Sequence, residues 1–284
     1  MANLKEIRNR IASVSSTMQI TSAMKMVSAA KLKKAQDAIT AMRPYSDKLT
    51  ELLQNFSSTL GADSSSKFTE QRDIENVLIV AVTSNRGLCG AFNSNIIKQV
   101  TNVASGYDAK ASIFAIGKKA NDVLSKNFEV ISNQSSVFDD LTFDNVAAIA
   151  DMLMEQFESK AFDKIEIVYN KFKNAATQEI MTEQFLPVIA LDSSSDSSQD
   201  YIFEPTKKKI VETLIPKSLK TQLYKSLRDS FASEHGARMT AMHKATDNAT
   251  ELRDQLKLTY NKARQASITN EILEIVGGAE ALNG

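Results

Sequence analysis

The sequence Val-Leu-Ile-Val-Ala-Val at residues 77–82 decides the fold of the middle of this 284-residue chain. A continuous apolar run of this kind is typical of a strand buried on both faces of a parallel sheet. Further apolar runs follow and alternate with helical stretches, which predicts an open, Rossmann-like α/β sheet. The predicted strands are 77–82, 112–116, 129–132, 164–169 and 177–186, the last an edge strand that ends at Pro187. The predicted helices are 93–104, 118–126 and 143–159.

The turn after the first strand, residues 83–90, stands where phosphate-binding loops occur in α/β proteins. Its sequence, TSNRGLCG, matches neither the G-x-G-x-x-G nor the G-x-x-x-x-G-K-[ST] pattern. We therefore expect a tight strand-to-helix turn whose glycines serve the backbone. A free-standing nucleotide-binding enzyme with a helical appendage is the alternative that a phosphate loop would have favoured.

The two flanks of this region are poor in helix breakers. Residues 2–60 contain only Pro44, and residues 210–276 contain only Pro216 and Gly236. Ala, Lys, Met, Gln, Glu and Leu dominate both flanks and favour helix. The predicted organisation is an N-terminal coiled-coil helix at 1–58, a central α/β domain at 75–190 and a C-terminal coiled-coil helix at 208–284.

Apolar residues of the first flank follow a coiled-coil spacing. Leu4, Ile7, Ile11, Val14 and Met18 are separated alternately by three and four residues, which is the spacing of a helix–helix seam. The next apolar residues break this register, which predicts a slipped, irregular coiled coil. The residues expected to carry the slipped seam forward are Ile20, Met24 and Val27.

The second flank carries leucines and then alanines at every fourth position between residues 219 and 249. Small side chains let two helix backbones approach closely, and the chain must leave the first helix and return. We therefore expect a long, antiparallel, protruding coiled coil of the two termini, with a compact helical bundle as the alternative. Pro216 is expected to bend or restart the second helix, and Gly277-Gly278 to stop it.

The charge of the chain is zero overall but segregated. Residues 1–48 carry a net charge of +6, residues 49–206 carry −10, and residues 207–284 carry +4. Overall neutrality excludes a uniformly basic nucleic-acid-binding protein. The basic ends either contact the acidic middle of the same molecule or face an acidic partner. A single cysteine, Cys89, excludes an intrachain disulfide framework.

No catalytic or metal-binding constellation stands out in the sequence. His235 and His243 are eight positions apart, and helical zinc ligands are usually four apart, so both are predicted to be ordinary helix-surface residues. No base accompanies Cys89 in the sequence. We expect a protein that is not an enzyme by itself and that holds no cofactor or metal.

Several motifs resemble one known family. ITSAMKMV at residues 20–27, NRGLCG at 85–90, ATDNA at 245–249 and YNKARQASIT at 260–269 are similar to the F-type ATP synthase gamma subunit family. The similarity spans the whole chain. It implies a central rotor shaft that couples rotation of a membrane ring to conformational cycling of catalytic beta subunits.

The resemblance also implies partners and a location. Three alpha and three beta subunits, an epsilon subunit and the membrane c-ring would assemble with one copy of this chain, and no nucleic acid would take part. Without a visible leader, the cytoplasmic face of a bacterial inner membrane is the expected location, although a mature organellar chain would look the same. A coiled-coil scaffold unrelated to ATP synthesis is a further alternative.

The resemblance assigns roles to individual positions. Ile272 and Ile275 would form an apolar bearing tip, and Tyr201 and Glu204 would lie in the foot near the c-ring. The positions that would contact a beta subunit are Met24, Arg238, Gln265 and Thr269. As a residue of the rod surface, Arg238 is expected to matter more for coupling than for folding.

Overall fold

A computed structural model describes residues 4–59, 67–188 and 207–283 of the chain. Within these ranges, five α-helices accompany a five-stranded sheet. The helices are α1 (Leu4–Thr59), α2 (Phe92–Ser105), α3 (Lys118–Leu124), α4 (Phe143–Glu158) and α5 (Lys207–Asn283). The strands are β1 (Asn76–Val82), β2 (Lys110–Ile116), β3 (Glu129–Asn133), β4 (Lys164–Phe172) and β5 (Gln178–Leu186).

The sheet has the order β3-β2-β1-β4-β5. Four strands are parallel to one another, and β5 pairs antiparallel with β4 at one edge. Val80 of β1 lies opposite Phe114 of β2 on one side and Ile167 of β4 on the other. The predicted α/β class, the five strands and the edge position of the last strand are confirmed.

Helices cover both faces of this sheet. Leu78, Val80 and Val82 pack in one apolar cluster with residues of α4 and α5. Val77, Ile79 and Ala81 pack in a second cluster with residues of α2 and α3. All six are fully buried, which explains why β1 reads as an uninterrupted apolar run instead of an alternating one.

The chain divides into two compact units. One consists of residues 1–28 with 239–284, and the other consists of residues 29–238. In the first unit, Arg8 donates to the Tyr260 hydroxyl across 2.8 Å, and the Thr246 hydroxyl donates to that of Thr21 across 2.8 Å. Because the α1 partner number rises as the α5 number falls, the two helices are antiparallel, as predicted.

The predicted slip in the α1 seam is wrong. Ile20 and Val27 are 58% exposed, whereas Thr21 and Ser28 are buried and continue the alternating three- and four-residue spacing. The predicted seam rested on apolar side chains alone. Thr21 satisfies its hydroxyl inside the seam by donating to the Met18 carbonyl and accepting from Thr246, so a polar residue occupies the apolar position without an orphaned group.

The predicted restart of the second helix at Pro216 and its predicted stop at Gly277-Gly278 are also wrong. Pro216 lies inside α5, where the buried neighbours Ile215 and Leu219 anchor the helix to the core on both sides of it. α5 also continues past Gly277 and Gly278 to Asn283. Neither glycine takes the positive φ angle that commonly ends a helix.

Candidate functional site

α5 brings a buried cation to the turn that follows β1. The Arg238 side chain is only 8% exposed. Its Nε donates to the Gly87 carbonyl across 3.3 Å, and one Nη donates to the Arg86 carbonyl across 3.1 Å. The other Nη lies 2.8 Å from a carboxylate oxygen of Glu234, one helical turn earlier. The expectation that Arg238 is a surface residue is therefore wrong.

Charge and burial perturb the neighbours of Arg238. Burial raises the pKa of Glu234, and the cations Arg238, Lys31 and Arg86 partly oppose that rise. Burial, together with the positive charges of Arg238 and Lys31, lowers the pKa of His235 to about 4. Each of these shifts favours the neutral form of the group concerned.

The two histidines occupy opposite environments. His235 is buried, its ring stands edge-on to Phe231 at a centroid distance of 4.6 Å, and its Nδ1 lies 3.4 Å from an Nη of Arg238. The prediction of a surface position is wrong for His235. It is right for His243, whose exposed ring lies 3.2 Å from the Asp247 carboxylate.

The turn itself is closed by its own side chains. Asn93 donates to the Ser84 hydroxyl across 2.8 Å and to the Cys89 sulfur across 3.3 Å. Cys89 is buried, which raises the pKa of its thiol, so the thiolate that reactive cysteines need is disfavoured. Gly117 is required beside this turn, because its φ is +110° and a Cβ there would collide with the Thr83 carbonyl oxygen.

The crevice where α/β proteins often bind ligands is filled by the protein. Strand order reverses between β1 and β4, and ligands of open α/β sheets bind at the carboxyl ends of strands at such a point. Here the Ser233 hydroxyl of α5 donates to the Asn170 carbonyl across 3.0 Å, and the Asn170 amide donates to the Phe92 carbonyl across 3.3 Å. These contacts and those of Arg238 occupy the edge that a nucleotide would need.

The first unit presents a different kind of candidate site. Met24 is half-buried, while Gln265 and Thr269 are exposed on α5. Ile272 and Ile275 are 55% and 71% exposed, and every residue from 268 to 280 is exposed. Thus α5 ends in an exposed apolar segment. The predicted foot residues Tyr201 and Glu204 lie outside the described residues.

Two features are absent from the described residues. No cluster of three or more His, Cys, Asp or Glu side chains suited to a metal ion occurs in ranges 4–59, 67–188 and 207–283. None of the helices in that part of the chain combines the length and apolar character needed to span a bilayer.

Known proteins resemble the chain over its whole length. A family model described as ATP synthase matches residues 3–282. The ATP synthase gamma chain of Flavobacterium psychrophilum is 75% identical, with all of both chains covered. The chain belongs to the ATP synthase gamma chain family. It is thus a gamma subunit, a non-catalytic part of the ATP synthase complex.

Solved structures agree with this fold. A chain from the central stalk and c-ring structure of Tetrahymena thermophila mitochondrial ATP synthase is 25% identical, with a TM-score of 0.61 over 80% of this chain and 99% of that one. A chain from the Euglena gracilis mitochondrial ATP synthase is 23% identical, with a TM-score of 0.70 over 98% of this chain and 94% of that one. The second likeness concerns the fold alone.

The buried cluster around Arg238 was not predicted from the sequence. Glu234 and Arg238 are four positions apart, a spacing that places an acid and a base on one helix face, and this signal was available. The carbonyls of Arg86 and Gly87 carry no such signal, because any residue supplies a backbone carbonyl. Only the three-dimensional structure assigns them as partners.

Proposed function

We propose that this subunit is the rotating central stalk of an F-type ATP synthase and couples rotation of the membrane c-ring to conformational cycling of the catalytic beta subunits. Family membership supports the proposal, and its main structural support is the exposed apolar end of α5. A helix segment that leaves Ile272, Leu273, Ile275 and Val276 between 50% and 71% exposed needs an apolar partner surface.

The first compact unit, residues 1–28 with 239–284, contains the proposed contact positions. Met24, Gln265 and Thr269 are proposed to contact a beta subunit, and Ile272 and Ile275 are proposed to form the bearing tip. Exposure of Gln265, Thr269 and both isoleucines in the single chain supports these roles.

Two further assignments remain predictions. Arg238 is predicted to contact a beta-subunit loop, and the structure adds partners for it within its own chain. Tyr201 and Glu204 are predicted to face the c-ring. We also retain as a proposal the division into an N-terminal helix at 1–58, a central domain at 75–190 and a C-terminal helix at 208–284.

The proposed assembly contains three alpha and three beta subunits, one epsilon subunit, the c-ring and one copy of this chain. The proposed location is peripheral, on the cytoplasmic face of a bacterial inner membrane. Bacterial relatives such as the 75% identical gamma chain of Flavobacterium psychrophilum support a bacterial setting. Solved chains of similar fold come from stalk and c-ring structures.

Reconstitution with matching alpha and beta subunits tests the proposal. We expect a stable complex with one copy of this chain per three beta subunits and strongly raised ATP hydrolysis. Replacing Ile272 and Ile275 together by serine should weaken the coupling of hydrolysis to proton transport in complexes joined to the membrane part. Val123→Ser is the control, because Val123 is an exposed apolar residue of α3.

Two outcomes would contradict the proposal. If the folded chain does not associate with alpha and beta subunits, it is better described as a coiled-coil scaffold. If the purified chain alone hydrolyses ATP as fast as the assembly, a free-standing enzyme is the better description.

A further inference from the structure

An apolar cleft opens beside the edge of the sheet at β3. Its volume is about 550 Å³, and it lies between β2, β3, α4 and the segment before β4. The buried rings of Phe114 and Phe162 contribute to its lining. Ile131 and Met152 also line it and are 39% and 37% exposed. A bulky apolar side chain from outside therefore has both space and apolar contacts there.

The strand beside this cleft has one edge that pairs with no other strand of the described residues. β3 is the outermost strand, and its ladder partner among the described residues is β2, on one side only. A strand edge of this kind can accept a further strand through backbone hydrogen bonds, while side-chain pockets next to it supply selectivity. Ile131 connects the two features, because it belongs to β3 and lines the cleft.

The segment of the chain that forms most of the cleft is rich in acidic residues. Residues 129–163 contain eight acidic residues and one basic residue, Lys160. Glu129, Asp151 and Glu158 are paired with Lys110, Lys220 and Lys67 at 2.9, 2.8 and 3.8 Å respectively. Glu155, which lines the cleft, makes no ion pair with any described residue. An unpaired carboxylate beside an apolar cleft favours a partner that carries a cation next to its apolar side chain.

We propose that the β3 edge docks an extended segment of another subunit of the same assembly, with a large apolar side chain in the cleft and a Lys or Arg beside Glu155. The segment adds a strand to β3. Backbone hydrogen bonds give it affinity, and the cleft and Glu155 determine which sequence fits. The inference rests on the proposed function, because it takes the partner from the ATP synthase complex.

Hydrogen exchange on the complete complex tests the docking. We expect the backbone amides of Glu129–Asn133 to exchange at least about tenfold more slowly in the assembled complex than in the isolated chain, as expected for newly paired strand amides. If the chain assembles with alpha and beta subunits and these amides exchange at unchanged rates, the docking inference is wrong and the rotor proposal stands. If the chain does not assemble at all, the rotor proposal itself fails.

A charge reversal identifies the chemistry of the partner. Glu155→Lys should weaken the affinity of the complex for the subunit that carries the docked segment at least about tenfold. The new lysine would lie beside the Lys or Arg of that segment, and the two positive charges would repel each other. Glu179→Lys on β5, the other sheet edge, is the matched control and should leave retention unchanged. Thermal unfolding of both variants checks that the fold is intact. Equal retention by the two variants would overturn the role of Glu155.

A photo-crosslinking residue at Met152 locates the docked segment. We expect crosslinks to an extended stretch that contains Lys or Arg beside a large apolar residue. Crosslinks confined to an acidic stretch or to the middle of a helix would overturn the proposal.

Discussion

The two ends of α5 are parts of one helix, but they are stabilised in different ways. The sheet-packed segment, residues 215–238, is buried on nearly all sides and contains Leu219, Leu223 and Leu227 in the main core. The paired segment, residues 243–280, is half-buried along one stripe and exposed everywhere else, including every residue from 268 to 280. Long helices gain most of their stability from packing, so the first segment depends on the sheet core and the second depends on its pairing with α1.

The largest expected effect is the loss of a core side chain from the sheet-packed segment. Leu223 is fully buried, so Leu223→Ala should lower the free energy of unfolding by about 4 kcal/mol through lost transfer energy and a cavity. Leu258 in the paired segment is 64% exposed, so Leu258→Ala should change it by less than about 0.5 kcal/mol. Urea unfolding of the purified chain measures both values. Equal losses would remove the distinction between the segments.

The second effect concerns the buried ion pair. Arg238→Ala leaves the Glu234 carboxylate buried without its cation and frees two carbonyls, so we expect a loss of about 3 kcal/mol in the free energy of unfolding. Arg264→Ala is the control, because Arg264 is exposed on the paired segment. A chain with Arg238→Ala that unfolds at the same urea concentration as the control would show that Arg238 serves assembly only, as the family resemblance implied.

The α/β domain could be predicted from the sequence because its signals are local. A strand such as 77–82 is apolar throughout, and turns and helices separate it from the next strands. The antiparallel pairing of the termini could also be predicted, because the chain must return. The register of the helix pair could not, since Thr21 and Ser28 take seam positions that an apolar pattern omits.

The buried cluster was harder to predict, because charged residues are usually exposed. No residue near Arg238 in the sequence predicts that two backbone carbonyls about 150 positions earlier will accept its hydrogen bonds. The restart predicted at Pro216 was wrong because contacts far away in the sequence decide the outcome there too. Core contacts on either side of Pro216 outweigh the hydrogen bond that a proline removes.

Acid should destabilise the sheet-packed segment through His235. Its pKa is about 4 in the folded chain and about 6.5 when unfolded, so the unfolded chain binds more protons between these values. Its contribution to stability is therefore complete above about pH 6.5 and is lost as pH falls toward 4. At about 1.4 kcal/mol per pKa unit, and with the raised pKa of Glu234 opposing it, we expect a net loss of about 2 kcal/mol.

The variant His235→Gln isolates this contribution. Urea unfolding at several pH values between 4 and 7 should show a shallower pH dependence in the variant than in the parent chain. His243→Gln is the control, because the exposed His243 belongs to the paired segment. If removal of His235 leaves the slope unchanged, the buried imidazole does not govern acid stability.

The smallest expected effect tests the polar seam of the paired helices. Thr246→Val removes the hydroxyl that donates to Thr21, but Thr21 keeps its bond to the Met18 carbonyl, so no buried donor is orphaned. We expect a loss of about 1 kcal/mol or less, the net value of one neutral hydrogen bond. Hydrogen exchange of the amides of residues 243–260 should report it, because the change belongs to the helix pair. Slower exchange in this variant than in the parent chain would show that the hydroxyl pair weakens the seam, and that an apolar residue at position 246 makes a better contact between the two helices.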